Sequence, residues 1–424
     1  MRPTRRAGRG ATRSSSASAR RGARRRRAAP VPEVRSGLDV LARRGFAPLR
    51  GLRVGLVCNP TAVDRRLRHA ADLIAAAPGV RLAALFGPEH GVRGDVQYMA
   101  AVGDGRDART GCPAFSLYGE TADSLRPSPG QLAGLDALVF DVQDVGTRFY
   151  TYQATMMLCM EAAAGSGIRF VVLDRPNPIG GTAVEGPALR PGYESFCGMH
   201  DLAVRHGMTV GELARLFRAE RRIDVDLEVV PAEGWRRGMA FAATGLPWVM
   251  PSPNMPTPET ALVYPGACLL EGTNLSEGRG TTRPFHLLGA PWLDADRLAA
   301  DLEAERLPGV RFRPARFSPT WDKHAGVPCG GVEIHVRDPQ TFRPFRTGLA
   351  CVAHARRQDP ARFRWRTEPY EFVSDVPAFD LLCGSDRERR AIEAGAGLRD
   401  LSAALAGEER AFARRRRQFL LYGE

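Results

Sequence analysis

The 424-residue chain is 44% hydrophobic and 8% aromatic, and it carries a formal net charge of +13 at pH 7. That length exceeds what one hydrophobic core serves, so two domains are expected, and no apolar run approaches the ~18 residues of a membrane-spanning helix. The charge does not mark a nucleic-acid-binding body: eleven arginines and no acid lie in residues 1–29, which leaves only +2 for the rest.

The first segment, MRPTRRAGRGATRSSSASARRGARRRRAAP, has no hydrophobic content to fold around. Residues 1–33 are therefore expected to be a disordered Arg-rich tail, and any nucleic-acid contact is confined to it. The tail lacks the apolar stretch of a secretion signal, so a cytoplasmic location is the expectation.

A short helix is predicted from Ser36 to Arg44. Four apolar runs of strand length follow: RVGLVCNP, RLAALFGPEHG, LDALVFDVQDVG and IRFVVLDRPNP. Helix-period segments lie between them, RRLRHAADLIAAA after the first and YQATMMLCMEAAAGSG after the third. Continuous apolar strands alternating with amphipathic helices predict a parallel sheet covered on both faces. Residues 34–245 accordingly read as a Rossmann-like α/β domain.

Each run ends in polar chemistry: Asn59; then Glu89 and His90; then Asp141, Gln143 and Asp144; then Asp174, Arg175 and Asn177. The carboxyl ends of parallel strands share one edge of a sheet, and ligands bind in the crevice there. A lone Asp at such an end is more often a cap or turn residue. Four polar ends in succession favour a shared site. The third run continues as VFDVQDVGTRFYTY, which adds Arg148, Tyr150 and Tyr152 to the same edge.

The second half reads differently. TGLPWVMPSPNMPTPETALVYPG is proline-dense and predicted to be largely irregular, with Trp248, Asn254 and Tyr264 available to line a surface. LLEGTNLSEGRGTTRPF holds Glu271, Asn274, Glu277, Arg279 and Arg283. A helix (DADRLAADLEAE), a strand (GGVEIHVRD) and further helices follow, so residues 246–424 read as a smaller α/β domain. Its polar loop is placed to close over the crevice of the first domain.

Several chemistries are excluded by what is missing. Lys323 is the only lysine, so there is no Walker P-loop and little basis for a Schiff base. GDGRDA at 103–108 fits a loose dinucleotide motif, but no apolar strand leads into it and no helix follows. CNPTAV, the first strand-to-helix turn, has no glycine. The cysteines are scattered singly, H-E-x-x-H is absent, and His200 and His206 are not spaced as zinc ligands on a helix. No G-x-S-x-G elbow occurs. No metal and no cofactor are expected. What remains is a crevice rich in carboxylates, arginine and tyrosine, which suits a glycosidase, another small-anion hydrolase or transferase, or a non-catalytic binding protein.

NPTAVD, GPEHGVRGD, VFDVQDVGTRFYTY, LDRPNPIGG, HGMTVGELA, LPWVMPSPNMPT and EGTNLSEGRGTTRPF together resemble the bacterial exo-β-N-acetylmuramidase family, in the same order and over about residues 36–380. The resemblance implies release of terminal β-linked N-acetylmuramic acid from the non-reducing ends of peptidoglycan fragments. Its substrates are then muropeptides or disaccharide fragments. It also implies a Rossmann-like catalytic domain, a smaller C-terminal domain and a cleft between them. Members are often exported, and this chain shows no usable signal; Glu185 in VEGPAL stands where Asp is commoner, a conservative change. On this footing Glu89 is expected as general acid, with its backbone fixed by the Gly-Pro turn and its pKa raised by partial shielding. Asp141 or Asp144 is expected as the second carboxylate, with Glu277 as competitor, unless the 2-acetamido group of the substrate is itself the nucleophile. Arg148, Arg279 or Arg283 would hold the lactyl carboxylate. The alternative is a muropeptide-binding protein that does not cleave.

Overall fold

A run that is apolar at every position has no face to show to water, and the runs of the first half duly become buried parallel strands. The computed structural model describes residues 33–94, 105–119 and 121–423. In it β1 (Arg53–Cys58), β2 (Arg81–Gly87), β3 (Gly105–Arg106), β4 (Pro113–Ser116), β5 (Ala137–Asp141), β6 (Arg169–Leu173) and β7 (Leu227–Val230) form one sheet. Its order is β3-β4-β2-β1-β5-β6-β7, parallel except for the short β3–β4 pair. The chain starts at β1 in the middle, winds outward through β2, then returns to β5 and winds the other way. The strand order thus reverses beside β1, where such sheets open a crevice.

The period of two sorts side chains between the faces. Val57, Phe86, Phe140 and Phe170 meet the helix Tyr152–Gly165 on one side. Leu56, Leu85, Val139 and Val171 meet the helices Gly37–Arg43 and Ala70–Ala75 on the other. Ser36 caps the first helix in a capping box with Asp39, and Thr209 with Glu212 does the same for Val210–Glu220. A second, antiparallel sheet holds β8 (Leu287–Ala290), β9 (Val310–Phe317) and β10 (Cys329–Val336) in the order β8-β10-β9. The fold is the expected one: an α/β Rossmann-like sheet with a smaller second sheet.

Two local expectations need correction. The helix read in RRLRHAADLIAAA is only Ala70–Ala75, because the Asp64 carboxylate accepts from the backbone N–H groups of Arg66 and Arg68 and holds that stretch in a turn. The proline-dense segment contains a helix, Pro258–Ala267. Thr257 caps it, and Pro258 sits in the first turn, where no N–H is needed. This helix packs backbone to backbone on Pro344–Gln358: a Cβ on Gly266 would lie 1.8 Å from the Pro344 carbonyl oxygen. The tail and the start of GDGRDA lie outside the described residues; Gly105 and Arg106 of that motif form β3.

Residues 33–424 make one compact unit, and the last described residues show why. Leu421 donates its N–H to Glu212 at 2.7 Å, and the Tyr422 hydroxyl donates to Asp174 at the end of β6 at 2.5 Å. Among the described residues no helix is long and apolar enough to cross a membrane.

Candidate active site

Beyond β2 the chain turns through Pro88, and His90 and Gly91 take positive φ values of 72° and 77°. The Gly91 N–H closes the turn on the Pro88 carbonyl at 2.9 Å. This sharp corner aims Glu89 into a narrow crevice, where its side chain is 15% exposed and lies 3.8 Å from His90 Nε2. The segment after β5 supplies one wall. Tyr150 meets Tyr152 at 5.0 Å and Tyr264 at 5.7 Å, and Tyr264 meets Phe285 at 4.9 Å, all edge to face. The Tyr152 hydroxyl donates to the Pro251 carbonyl, which ties this wall to the proline-dense loop carrying Ser252 and Asn254.

The other wall is charged. Arg279 donates to Glu271 Oε1 at 2.8 Å, lies 3.2 Å from Glu277 Oε1, and covers the Phe285 ring at 5.3 Å. Tyr370 donates its hydroxyl to Glu271 Oε2 at 2.8 Å. Glu371 lines the crevice beside them. Shared surroundings drive these acids apart. Burial lifts the Glu89 carboxyl to about 7, and the Glu271 charge adds to it against the opposing pull of Arg279 and Thr151. Burial and the charges of Glu89 and Glu271 lift Glu371 to about 8. Burial also pushes Glu271 up, but the Arg279 guanidinium and the Tyr370 hydroxyl outweigh it and hold Glu271 below the ordinary glutamate value. Near neutral pH the crevice therefore pairs a protonated carboxyl with an ionised one, the division of roles that acid-assisted bond cleavage needs.

Of the residues singled out in the sequence, Glu89, His90, Tyr150, Tyr152, Asn254, Tyr264, Glu271 and Arg279 come together here. The others do not line the crevice. Asp141 is fully buried and bound by Arg175 at 2.6 and 3.0 Å. Asp144 accepts from the Gly146 N–H and faces His206 at 3.6 Å. Asn59 accepts from Thr61, Gln143 donates to the carbonyls of Asp144 and Pro176, and Asn177 donates to that of Met208. Asp174 accepts from Thr209, Gly211 and Tyr422. Of these polar strand ends Asp141 meets Arg175 and Gln143 reaches Pro176, while Asp144, Asp174 and Asn177 are taken up by the segment around His206 to Gly211 and by Tyr422. Arg148 is buried among the carbonyls of Pro187, Leu202 and Leu382. Asn274 pairs with the backbone of Arg362 and Arg364. Glu277 is clamped between Arg279 and Lys323, and Arg283 turns outward to Glu333. Glu185 receives the Arg346 backbone N–H at 3.0 Å and braces two distant segments.

Sequence reasoning missed Thr151, Ser252, Phe285, Tyr370 and Glu371. The last two lie in TEPYEFVSD, an irregular stretch whose signal is an acid flanked by aromatics between Trp365 and the helix Ala378–Cys383.

Known proteins share this arrangement of chain. The N-terminal model of the exo-beta-N-acetylmuramidase NamZ family matches residues 54–259, and its C-terminal model matches residues 262–422. The chain is 46% identical over 394 residues to the peptidoglycan beta-N-acetylmuramidase NamZ of Bacillus subtilis (strain 168), covering 93% of this chain and 92% of that protein. Two crystal structures of DUF1343 family proteins from Bacteroides fragilis superpose with TM-scores of 0.83 and 0.73 at 36% and 28% identity, each over 92% of this chain and 99% of the other.

Proposed function

The chain belongs to the exo-β-N-acetylmuramidase NamZ family, and on that footing we propose that it releases terminal β-linked N-acetylmuramic acid from the non-reducing ends of peptidoglycan fragments. It is a glycosidase. The observation that carries the reading is that Glu89 and Glu271 line one crevice in unlike surroundings, the first lifted by burial to about 7 and the second held down by the Arg279 guanidinium.

Glu89 is the general acid. It delivers its proton to the glycosidic oxygen as the bond from the anomeric carbon breaks, so the leaving sugar departs as an alcohol. Positive charge then grows at the anomeric carbon and ring oxygen, and the Glu271 anion stabilises it. Glu271 thus takes the part expected of Asp141 or Asp144, which lie outside the crevice. The substrate's own acetamido oxygen, or a water, completes the displacement. The test is incubation of the purified protein with a β-linked N-acetylmuramyl–N-acetylglucosamine disaccharide. Sugar release at catalytic turnover supports the reading, and tight binding without release overturns it.

The same assay reads the acid. A group with a raised pKa holds its proton until the pH passes that value, so the protonated, active form of Glu89 predominates below about 7. We expect kcat/KM to fall by about tenfold per pH unit above that point. Glu371→Gln should leave this limb in place. A limb that moves or disappears in that variant would transfer the role to Glu371.

Of Arg148, Arg279 and Arg283, it is Arg279 that lines the crevice, which supports it as the reader of the lactyl carboxylate. Arg279→Ala should slow both sugars, because Glu271 loses its partner, and should cost the muraminide a further ~1.5–3 kcal/mol, the scale of a charge-assisted hydrogen bond. Arg283→Ala should leave both within about twofold, because a half-exposed pair with Glu333 contributes little. Equal losses on both sugars in Arg279→Ala would show that Arg279 does not read the lactyl group.

A further inference from the structure

Of the 60 lysines and arginines in the chain, one alone is a lysine. A sequence that elsewhere uses arginine has kept Lys323, in the stretch 318–328 that joins β9 to β10. The two cations differ in shape. A guanidinium is a flat fork whose donors spread over three nitrogens, whereas an ammonium aims three donors from a single atom.

Three acceptors converge on that atom. Lys323 Nζ donates to the carbonyls of Leu270 and Leu275 at 2.8 and 3.0 Å and to Glu277 Oε2 at 2.9 Å. These bonds hold the charged wall of the crevice. Leu270 is joined directly to Glu271, and the other oxygen of Glu277 faces Arg279, which in turn donates to Glu271. The contacts close a ring from Lys323 through Leu270, Glu271, Arg279 and Glu277 back to Lys323. Neighbours of the lysine are pinned to the same loop. His324 Nε2 donates to the Asn274 carbonyl at 2.7 Å, and Thr320 donates its N–H and its hydroxyl to that of Gly280, both at 2.9 Å. Asp322 and His324, on either side of Lys323, take positive φ values of 66° and 59°. Residues with a Cβ hold that conformation where their surroundings enforce it. Lys323 does not itself line the crevice; Glu271 and Arg279 do.

We infer that Lys323 is a positioning residue for the reaction, fixing Glu271 and Arg279 against each other where the substrate meets them. This rests on the glycosidase reading above. The experiment measures kcat per folded molecule on the N-acetylmuramyl–N-acetylglucosamine disaccharide for Lys323→Arg and Lys323→Met. Arginine keeps the charge but cannot gather three acceptors on one atom, so it should not rescue. In both variants kcat should fall by about 10–100-fold, the scale of a misplacement of about 1 Å. The low-pH limb of kcat/KM, which follows ionisation of Glu271, should move to higher pH in Lys323→Met alone, because a cation that favours the Glu271 anion is gone. If Lys323→Met does not fold, Lys323→Arg, which leaves no carboxylate without a cation, carries the test. Parental kcat in folded Lys323→Arg overturns the inference. So does a loss of melting temperature with kcat per folded molecule unchanged, or failure of both variants to fold. A parent protein that does not cleave the disaccharide overturns the glycosidase reading, and this inference with it.

Discussion

Glu89→Gln is expected to lower kcat by ~10²–10⁴-fold, the range for loss of a positioned general acid, while the melting temperature holds or rises. The amide has nearly the shape of the carboxyl and can keep the contact with Thr151 that Glu89 makes. It cannot release a proton to the glycosidic oxygen. The fold gains rather than loses, because above about pH 7 the parent keeps a poorly compensated charge in the crevice. The leaving group supplies a sharper readout. A 4-nitrophenyl glycoside departs with little need of protonation, so the deficit of the variant should shrink markedly on that substrate. Near-parental hydrolysis of the disaccharide by Glu89→Gln would remove this residue from the mechanism.

Arg175→Met is expected to destabilise the protein by ~3–5 kcal/mol, the cost of leaving one member of a buried ion pair without its partner. Asp141 ends β5 beside β1 and is fully buried, and Arg175 grips both of its oxygens. Burial already pushes the Asp141 carboxyl upward, and Arg175 is the main counterweight. Without Arg175 the folded protein holds the Asp141 proton more tightly than the unfolded chain does. The deficit should therefore be smallest in acid and grow as the pH rises. Chemical denaturation at two pH values measures it, and adding Asp141→Leu should recover much of the loss. The protein that remains folded should keep its kcat, since the pair does not line the crevice. Full stability with abolished turnover would return Asp141 to the chemistry.

This contrast marks where the sequence is legible. The strands could be read because residues such as those of Ala137–Asp141 are buried on both faces and leave an unbroken apolar run. The polar strand ends could be read as converging, but not as finding their partners within the protein. Whether an aspartate meets an arginine or a substrate depends on a residue such as Arg175, 34 positions on, and only the register of β5 against β6 brings the two together. Glu89 stood out because a Gly-Pro corner directly after a strand restricts where its side chain can go. Glu371 was invisible, since a hairpin turn built from Glu and Phe breaks the composition rule by which such turns are found. The helix Pro258–Ala267 was hidden by prolines that sit where helices tolerate them.

The hydroxyl that completes Asp174 comes from Tyr422, 248 residues further along the chain. Asp174 is buried, and its carboxyl, lifted to about 6 by burial, would stand higher still without that hydrogen bond. During synthesis, β6 leaves the ribosome long before Tyr422 exists. The N-terminal sheet can assemble as a nascent intermediate, but the end of β6 keeps an incompletely satisfied acid until Tyr422 has been made. A stretch made 248 residues later is thus the one that seals the first sheet, and a ribosome that stalls between the two leaves a chain whose older half is still unfinished.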